Sequence, residues 1–93
     1  MGQARATRQL ETERVRVTEW RFAPGEATGM HTHAVDYVVV PITGGRFEVH
    51  EPDGSAREML QEPGSAYARS AGATHDLVNR GDGEAVFVEV ELL

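Results

Sequence analysis

Three of the four histidines in the chain are spaced for metal chemistry. His31 and His33 are separated by one residue in a stretch that reads as extended. Alternate side chains of a strand point the same way, with Cα atoms about 6.5 Å apart, so two imidazoles can converge on one ion. Zn–N bonds, for example, of about 2.0–2.1 Å are within reach of two such rings. His75 lies on a separate expected strand, in phase with Leu77 and Asn79. If the sheet folds over, His75 supplies a third nitrogen. Asn79, the single Asn of the chain, shares that face and would need hydrogen-bond partners if buried, which marks it as a residue that fixes a ligand or a turn. The fourth histidine, His50, alternates with Phe47 and Val49 and is expected to face solvent or a subunit interface together with Glu48. Arg46, Arg57 and Arg69 could point into a pocket and hold an acid, although their spacing does not require it.

Composition narrows what such a site can use. The 93 residues contain no Cys and no Lys, nine Arg and fifteen acidic side chains, for a net charge of −6. Disulfides, thiolate nucleophiles and Cys-ligated zinc or iron–sulfur sites are excluded, and so are Schiff bases and lysine phosphate clamps. Catalysis is left to His, carboxylates, Tyr, Ser, Thr, Arg or a metal held by nitrogen and oxygen. The negative charge disfavours nucleic acid and anionic membranes as partners. The segment MGQARATRQLETER has no apolar core of the kind a secretory signal carries, and the apolar run Tyr37–Ile42 is too short to span a bilayer. A cytoplasmic protein is the expectation.

The elements that must position the histidines are nearly all strand and turn. Val15–Phe22 reads as a strand whose apolar parity changes between Val15/Val17 and Trp20/Phe22. A bulge near Thr18, or burial of both faces, would explain the change. Tyr37–Val40 is rich in β-branched residues, Phe47 and Val49 alternate with polar neighbours, and Pro52-Asp53-Gly54-Ser55 signals a hairpin. In the last strand Val86, Val88, Val90 and Leu92 share one face. Eight to nine short strands with turn signals every 8–12 residues indicate an all-β barrel or double-sheet roll. Residues 1–13 are polar and aperiodic, expected as a flexible arm, with residues 14–93 forming one domain.

The spacing of these features resembles a known family. Gly25, five residues, His31, His33 and onward to Gly44 resembles the first cupin motif. Gly64, five residues, Ser70, Ala71, Gly72, two residues, His75, three residues and Asn79 resembles the second. The resemblance, which spans residues 25–79, implies a small jelly-roll, or double-stranded β-helix, barrel holding one divalent transition metal (Fe, Mn, Ni, Zn or Cu). His31, His33 and His75 match the histidine ligands, Gly25, Gly44, Gly64 and Gly72 the turn glycines, and Asn79 the terminal Asn. Short members of the family usually pair as homodimers. Ser70 stands where the family has Pro, a matter of loop stiffness. The glutamate ligand position falls on Tyr37, and the nearby carboxylate, Asp36, comes one residue early. Residues 31, 33, 35 and 37 share a face, so Asp36 points away unless a bulge intervenes. Either a bulge turns Asp36 inward as a metal ligand, or Tyr37 lines the pocket of a three-His site completed by water.

The resulting expectation is a metal-dependent cupin acting on a small polar molecule by oxygenase, isomerase or lyase chemistry, with Tyr37 as a pocket proton donor or acceptor. The run His-x-His-x-x-Asp-Tyr-Val-Val-Val-Pro is similar to that of short bacterial cupins placed in β-alanine breakdown. Two other readings are a non-catalytic module that binds a small ligand and a metal site that is mainly structural.

Overall fold

A computed structural model describes residues 2–93. Its nine strands are β1 (Arg5–Glu11), β2 (Val15–Phe22), β3 (His31–Thr32), β4 (Tyr37–Pro41), β5 (Gly45–His50), β6 (Ala56–Gln61), β7 (Tyr67–Arg69), β8 (Thr74–Asn79) and β9 (Ala85–Leu92). Among the described residues no helix is long and apolar enough to cross a membrane. The strands form two antiparallel sheets, β1-β2-β9-β4-β7 and β3-β8-β5-β6. Facing sheets of this kind bury their inner sides against each other and form the jelly-roll barrel.

Register defines the levels of the barrel interior. In the five-stranded sheet, Pro41, Phe87 and Trp20 lie side by side, as do Tyr67, Val39 and Glu89, and then Arg69, Tyr37 and Glu91. Opposite them stand Leu77 beside Val49 and Arg57, and Asn79 beside Phe47 and Met59. The core gathers where the aromatic side chains meet: Phe22, Phe47 and Phe87 pack with ring centroids 5.2–6.0 Å apart, within the range of favourable aromatic pairs.

One expectation changes and two are sharpened. Arg5–Glu11 is not an arm but an edge strand, paired with β2 from Arg5↔Arg21 to Glu11↔Arg16. Its side chains are exposed because backbone pairing, not burial, holds it, and hydropathy gives little sign of such a strand. The irregularity expected near Thr18 lies across the ladder from it, where Gln9 of β1 is the extra residue between Arg8↔Thr18 and Leu10↔Val17. The parity change in β2 itself reflects apolar residues on both faces, since Trp20 lines the interior while Val17 sits beside Val90 on the outside. In β9 the inward set is Ala85, Phe87 and Glu89, the set that includes the pocket-lining Phe87 and Glu89; Val86, Val88 and Val90 take the outer face.

Candidate metal centre

His31 and His75 are directly opposite one another in the β3–β8 pair. His33 follows β3 and is held by backbone bonds to the next turn: its N–H donates to Ala73 O at 2.9 Å, and its carbonyl accepts from Gly72 N at 2.8 Å. One imidazole therefore comes from β8 and two from the segment beside it. Their ligand nitrogens all lie within 4.8 Å of one another. The His31 Nε2–His33 Nε2 distance is 3.0 Å and the His33 Nε2–His75 Nε2 distance 3.3 Å.

These distances fit a shared ion. Two nitrogens bound at about 2.05 Å are about 2.9 Å apart at a 90° angle and about 3.3 Å apart at the tetrahedral angle. His31 Nδ1 lies 2.8 Å from Gly29 O, an arrangement that places the proton on Nδ1 and leaves the Nε2 lone pair facing the other rings. Burial, reinforced by the neighbouring His31 and His75, lowers the His33 pKa to about 4. Burial likewise lowers that of His75. Neutral imidazoles are the form that ligates a metal, so the donor set fits a divalent ion bound by three nitrogens.

The other expected site residues separate clearly. Tyr37 is buried and stacks on His33, with ring centroids 3.8 Å apart and an interplanar angle of 18°. Burial, with a smaller contribution from Glu89, pushes its pKa up to about 12. Asp36, expected as a metal ligand, is not brought to the histidines. Its side chain is exposed, its Oδ1 accepts from Ala71 N at 2.7 Å, and no bulge turns it inward, so strand parity places Tyr37 in the pocket instead. Asn79 does not reach the metal centre. It is fully buried, donates to Phe22 O and Gly83 O, and accepts from Gly81 N, and so ties β2 to the turn before β9. Gly25, Gly44, Gly64 and Gly72 all adopt positive φ. At Gly44 a side chain is also excluded by space, since a Cβ would lie 2.8 Å from both Gln61 O and Pro63 Cδ. His50 and Glu48 form a 2.6 Å pair away from the pocket, joined by Arg80 at 3.3 Å. Arg46 also stays outside, donating to Arg80 O.

The histidines open into the barrel interior, where about 40 Å³ remains free, room for a few water-sized groups. Besides His31, His33, His75 and Tyr37, this cavity is lined by Trp20, Met59, Tyr67, Glu89 and the guanidinium-bearing Arg57 and Arg69. Glu89 is the residue that sequence reasoning missed. It is 9% exposed, and burial, with a contribution from Glu91, pushes its pKa up to about 7 against a smaller opposing effect of the Trp20 N–H. Trp20 Nε1 is itself buried without a hydrogen bond of good geometry. The signal that was available was a carboxylate amid the valines of β9, out of phase with them.

The chain matches the family model of the cupin domain over residues 18–91. It is 48% identical over 90 residues to the beta-alanine degradation protein BauB of Pseudomonas aeruginosa, with 97% of this chain and 94% of that protein covered. Among solved structures, a cupin domain protein from Bordetella pertussis is 44% identical with a TM-score of 0.94, covering 99% of this chain and 95% of that one. A protein with a double-stranded β-helix domain from Klebsiella pneumoniae is 25% identical with a TM-score of 0.79, covering 98% and 77%. With two histidine-bearing segments brought together inside a β-roll and a family match over most of its length, the chain belongs to the cupin family.

Proposed function

We propose that this protein is a mononuclear metal cupin that binds one divalent transition metal through His31, His33 and His75 and acts on a small polar metabolite in the cytoplasm, in small amino-acid catabolism. The observation that carries the reading is the convergence of three Nε2 atoms at 3.0 and 3.3 Å on a cavity lined by further polar side chains. A metal held there would polarise a substrate oxygen or activate water, as oxygenase, isomerase and lyase reactions require. Three protein ligands would leave a metal able to take further ligands, and the three histidines line the cavity, which favours a working site over a purely structural staple. Tyr37, stacked on His33, is placed to orient that ring and to exchange a proton with a ligand beside it. Placement in amino-acid catabolism is supported by the name of the Pseudomonas relative.

The test is elemental analysis of the purified protein, repeated for His33→Ala. One metal per chain in the parent and at least a tenfold loss in the variant is the expected result. Protein that carries no metal, and whose melting temperature does not move on addition of Fe, Mn, Ni, Zn or Cu, would end the metal reading. With metal bound, screens for oxygen uptake and for turnover of small acids separate the enzyme from a binding module, and His75→Ala should abolish any activity found.

A further inference from the structure

The metal centre uses only part of the cavity lining. On its far side Glu89 presents a carboxylate that is nine-tenths buried and has no cation within ion-pair distance among the described residues. A charge in that position is unfavourable unless something positive meets it. Arg69 of the edge strand β7, directly across from Tyr37, lines the same cavity while remaining exposed to solvent. Its guanidinium lies 4.6 Å from the Tyr67 ring centroid, and its one hydrogen bond is to Ala68 O. Among the described residues no carboxylate pairs with it. Arg57 of the other edge strand, β6, lines the same cavity, with Glu51 on its Nε at 3.3 Å.

The ladder sets the distance between these two poles. Glu89 and Arg69 are two strands apart, on either side of β4, and one inward-facing position apart along the strands. With strands about 4.8 Å apart and about 6.8 Å between inward-facing neighbours, their Cα atoms are separated by roughly 12 Å. Both side chains lie along the cavity wall and shorten that gap, which leaves room for a bridge of a few atoms between an unpaired cation and an unpaired acid. Tyr37 lies between them and carries the site toward His33.

We propose that the cavity is built for a small zwitterion, an amino acid with a short carbon chain between its two ends, whose carboxylate is taken by Arg69 with Arg57 and whose ammonium is taken by Glu89. The inference rests on the reading that this pocket receives a small polar ligand, and it adds which chemistry each wall selects. The ammonium supplies the partner that buried Glu89 lacks, the carboxylate replaces water at the exposed Arg69 and Arg57, and a molecule without the ammonium leaves Glu89 unsatisfied. Discrimination of that kind is large in buried sites, because the penalty falls on the wrong ligand.

The experiment is calorimetric titration of the metal-loaded protein at pH 8 with ω-amino acids of two to five carbons, and with the alkanoates and alkylamines of equal length. The expected result is that one ω-amino acid binds at least about tenfold more tightly than both of its single-ended analogues. Glu89→Gln removes its advantage over the alkanoate while alkanoate binding persists; Arg69→Met weakens both carboxylates. Equal binding of alkanoate and amino acid overturns the proposal, as does an unchanged preference in Glu89→Gln or no binding by any of the series. The comparison within the parent protein decides the matter even if a variant fails to fold. Metal content is measured in the same samples. Full metal loading without amino-acid binding sinks this inference alone, whereas amino-acid binding by protein that takes no metal sinks the metal reading and leaves the zwitterion site standing.

Discussion

Glu89 and His33 respond to pH in opposite senses because burial opposes the charged form of each, and one is charged when it loses a proton, the other when it gains one. The Glu89 carboxyl rises from an ordinary 4.5 to about 7 in the folded chain. The folded state therefore holds that proton more tightly than the unfolded state does. The associated stability is fully present below about 4.5 and is lost as the pH rises through about 7. Removing the charge should reverse the loss: at pH 8 Glu89→Gln is expected to be more stable than the parent by roughly 1–3 kcal/mol, with the gain shrinking toward pH 5. Urea unfolding of the metal-free protein at the two pH values measures this, and equal stabilities at pH 8 would mean that the carboxylate is adequately solvated. His33 has the reverse sign. Its pKa falls from 6.5 to about 4, so its contribution is complete above about 6.5 and disappears as the pH falls toward 4. The metal-free protein should lose on the order of 1–3 kcal/mol across that window from this residue, and His33→Gln should flatten the decline in the melting temperature. The same sign makes metal retention strongest on the neutral side, where all three imidazoles are free to ligate.

Strands and turns bring these residues together, and two positions carry much of that task. Gly44 has φ +73 and a virtual Cβ 2.8 Å from Gln61 O and Pro63 Cδ. Neither a backbone oxygen nor a proline ring moves aside cheaply, and left-handed φ adds strain for any other residue. Gly44→Ala should cost about 2–4 kcal/mol by denaturant unfolding, and a loss under 0.5 kcal/mol would show that the turn relaxes. Asn79→Ala leaves Phe22 O, Gly83 O and Gly81 N short of a partner, at an expected cost of about 2–4 kcal/mol. Both residues were visible in the sequence because both match positions of the cupin motifs that it resembles. The strand Val15–Phe22 was visible too, with the same bounds as β2. The direction in which β9 faces was not. Its valines form the longest apolar alternation in the chain, and hydropathy alone assigns that face to the core, whereas the barrel interior here holds a polar cavity and draws in Glu89. Asp36 failed for the converse reason. Its chemistry suited a ligand, but strand parity held, and the carboxylate went to the Ala71 N–H.

The outward-facing valines of β9 have a consequence for the whole molecule. Register places Val15, Val17, Val38, Val40, Val88 and Val90 side by side on the outer face of three adjacent strands, β2, β9 and β4. Leu10 and Leu92 extend the patch at its edge, 52% and 46% exposed. Lone apolar side chains on a surface are ordinary, but a continuous valine face across a sheet is the kind that associates. A second copy is the occupant that suits it. Charge argues against pairing through the polar surface of a chain with net charge −6, whereas the charges on this face, Glu19 and Arg21 beside Val88 and Val86, are paired with each other at one flank of the valines, and the face can meet itself across a two-fold axis. A 93-residue domain without disulfides also gains most from such burial, since a chain of this size leaves a large share of its surface wet. We therefore expect light scattering to give twice the chain mass at micromolar concentration. Val90→Glu, at the middle of the face between Val17 and Val38, should shift the protein to monomer while leaving the histidines, on the other sheet, able to bind metal. A parent protein that scatters as a monomer would refute the dimer. A Val90→Glu protein that remains dimeric with an intact fold would instead place the contact on another face, the exposed edges β1 and β7 being the next surfaces to examine.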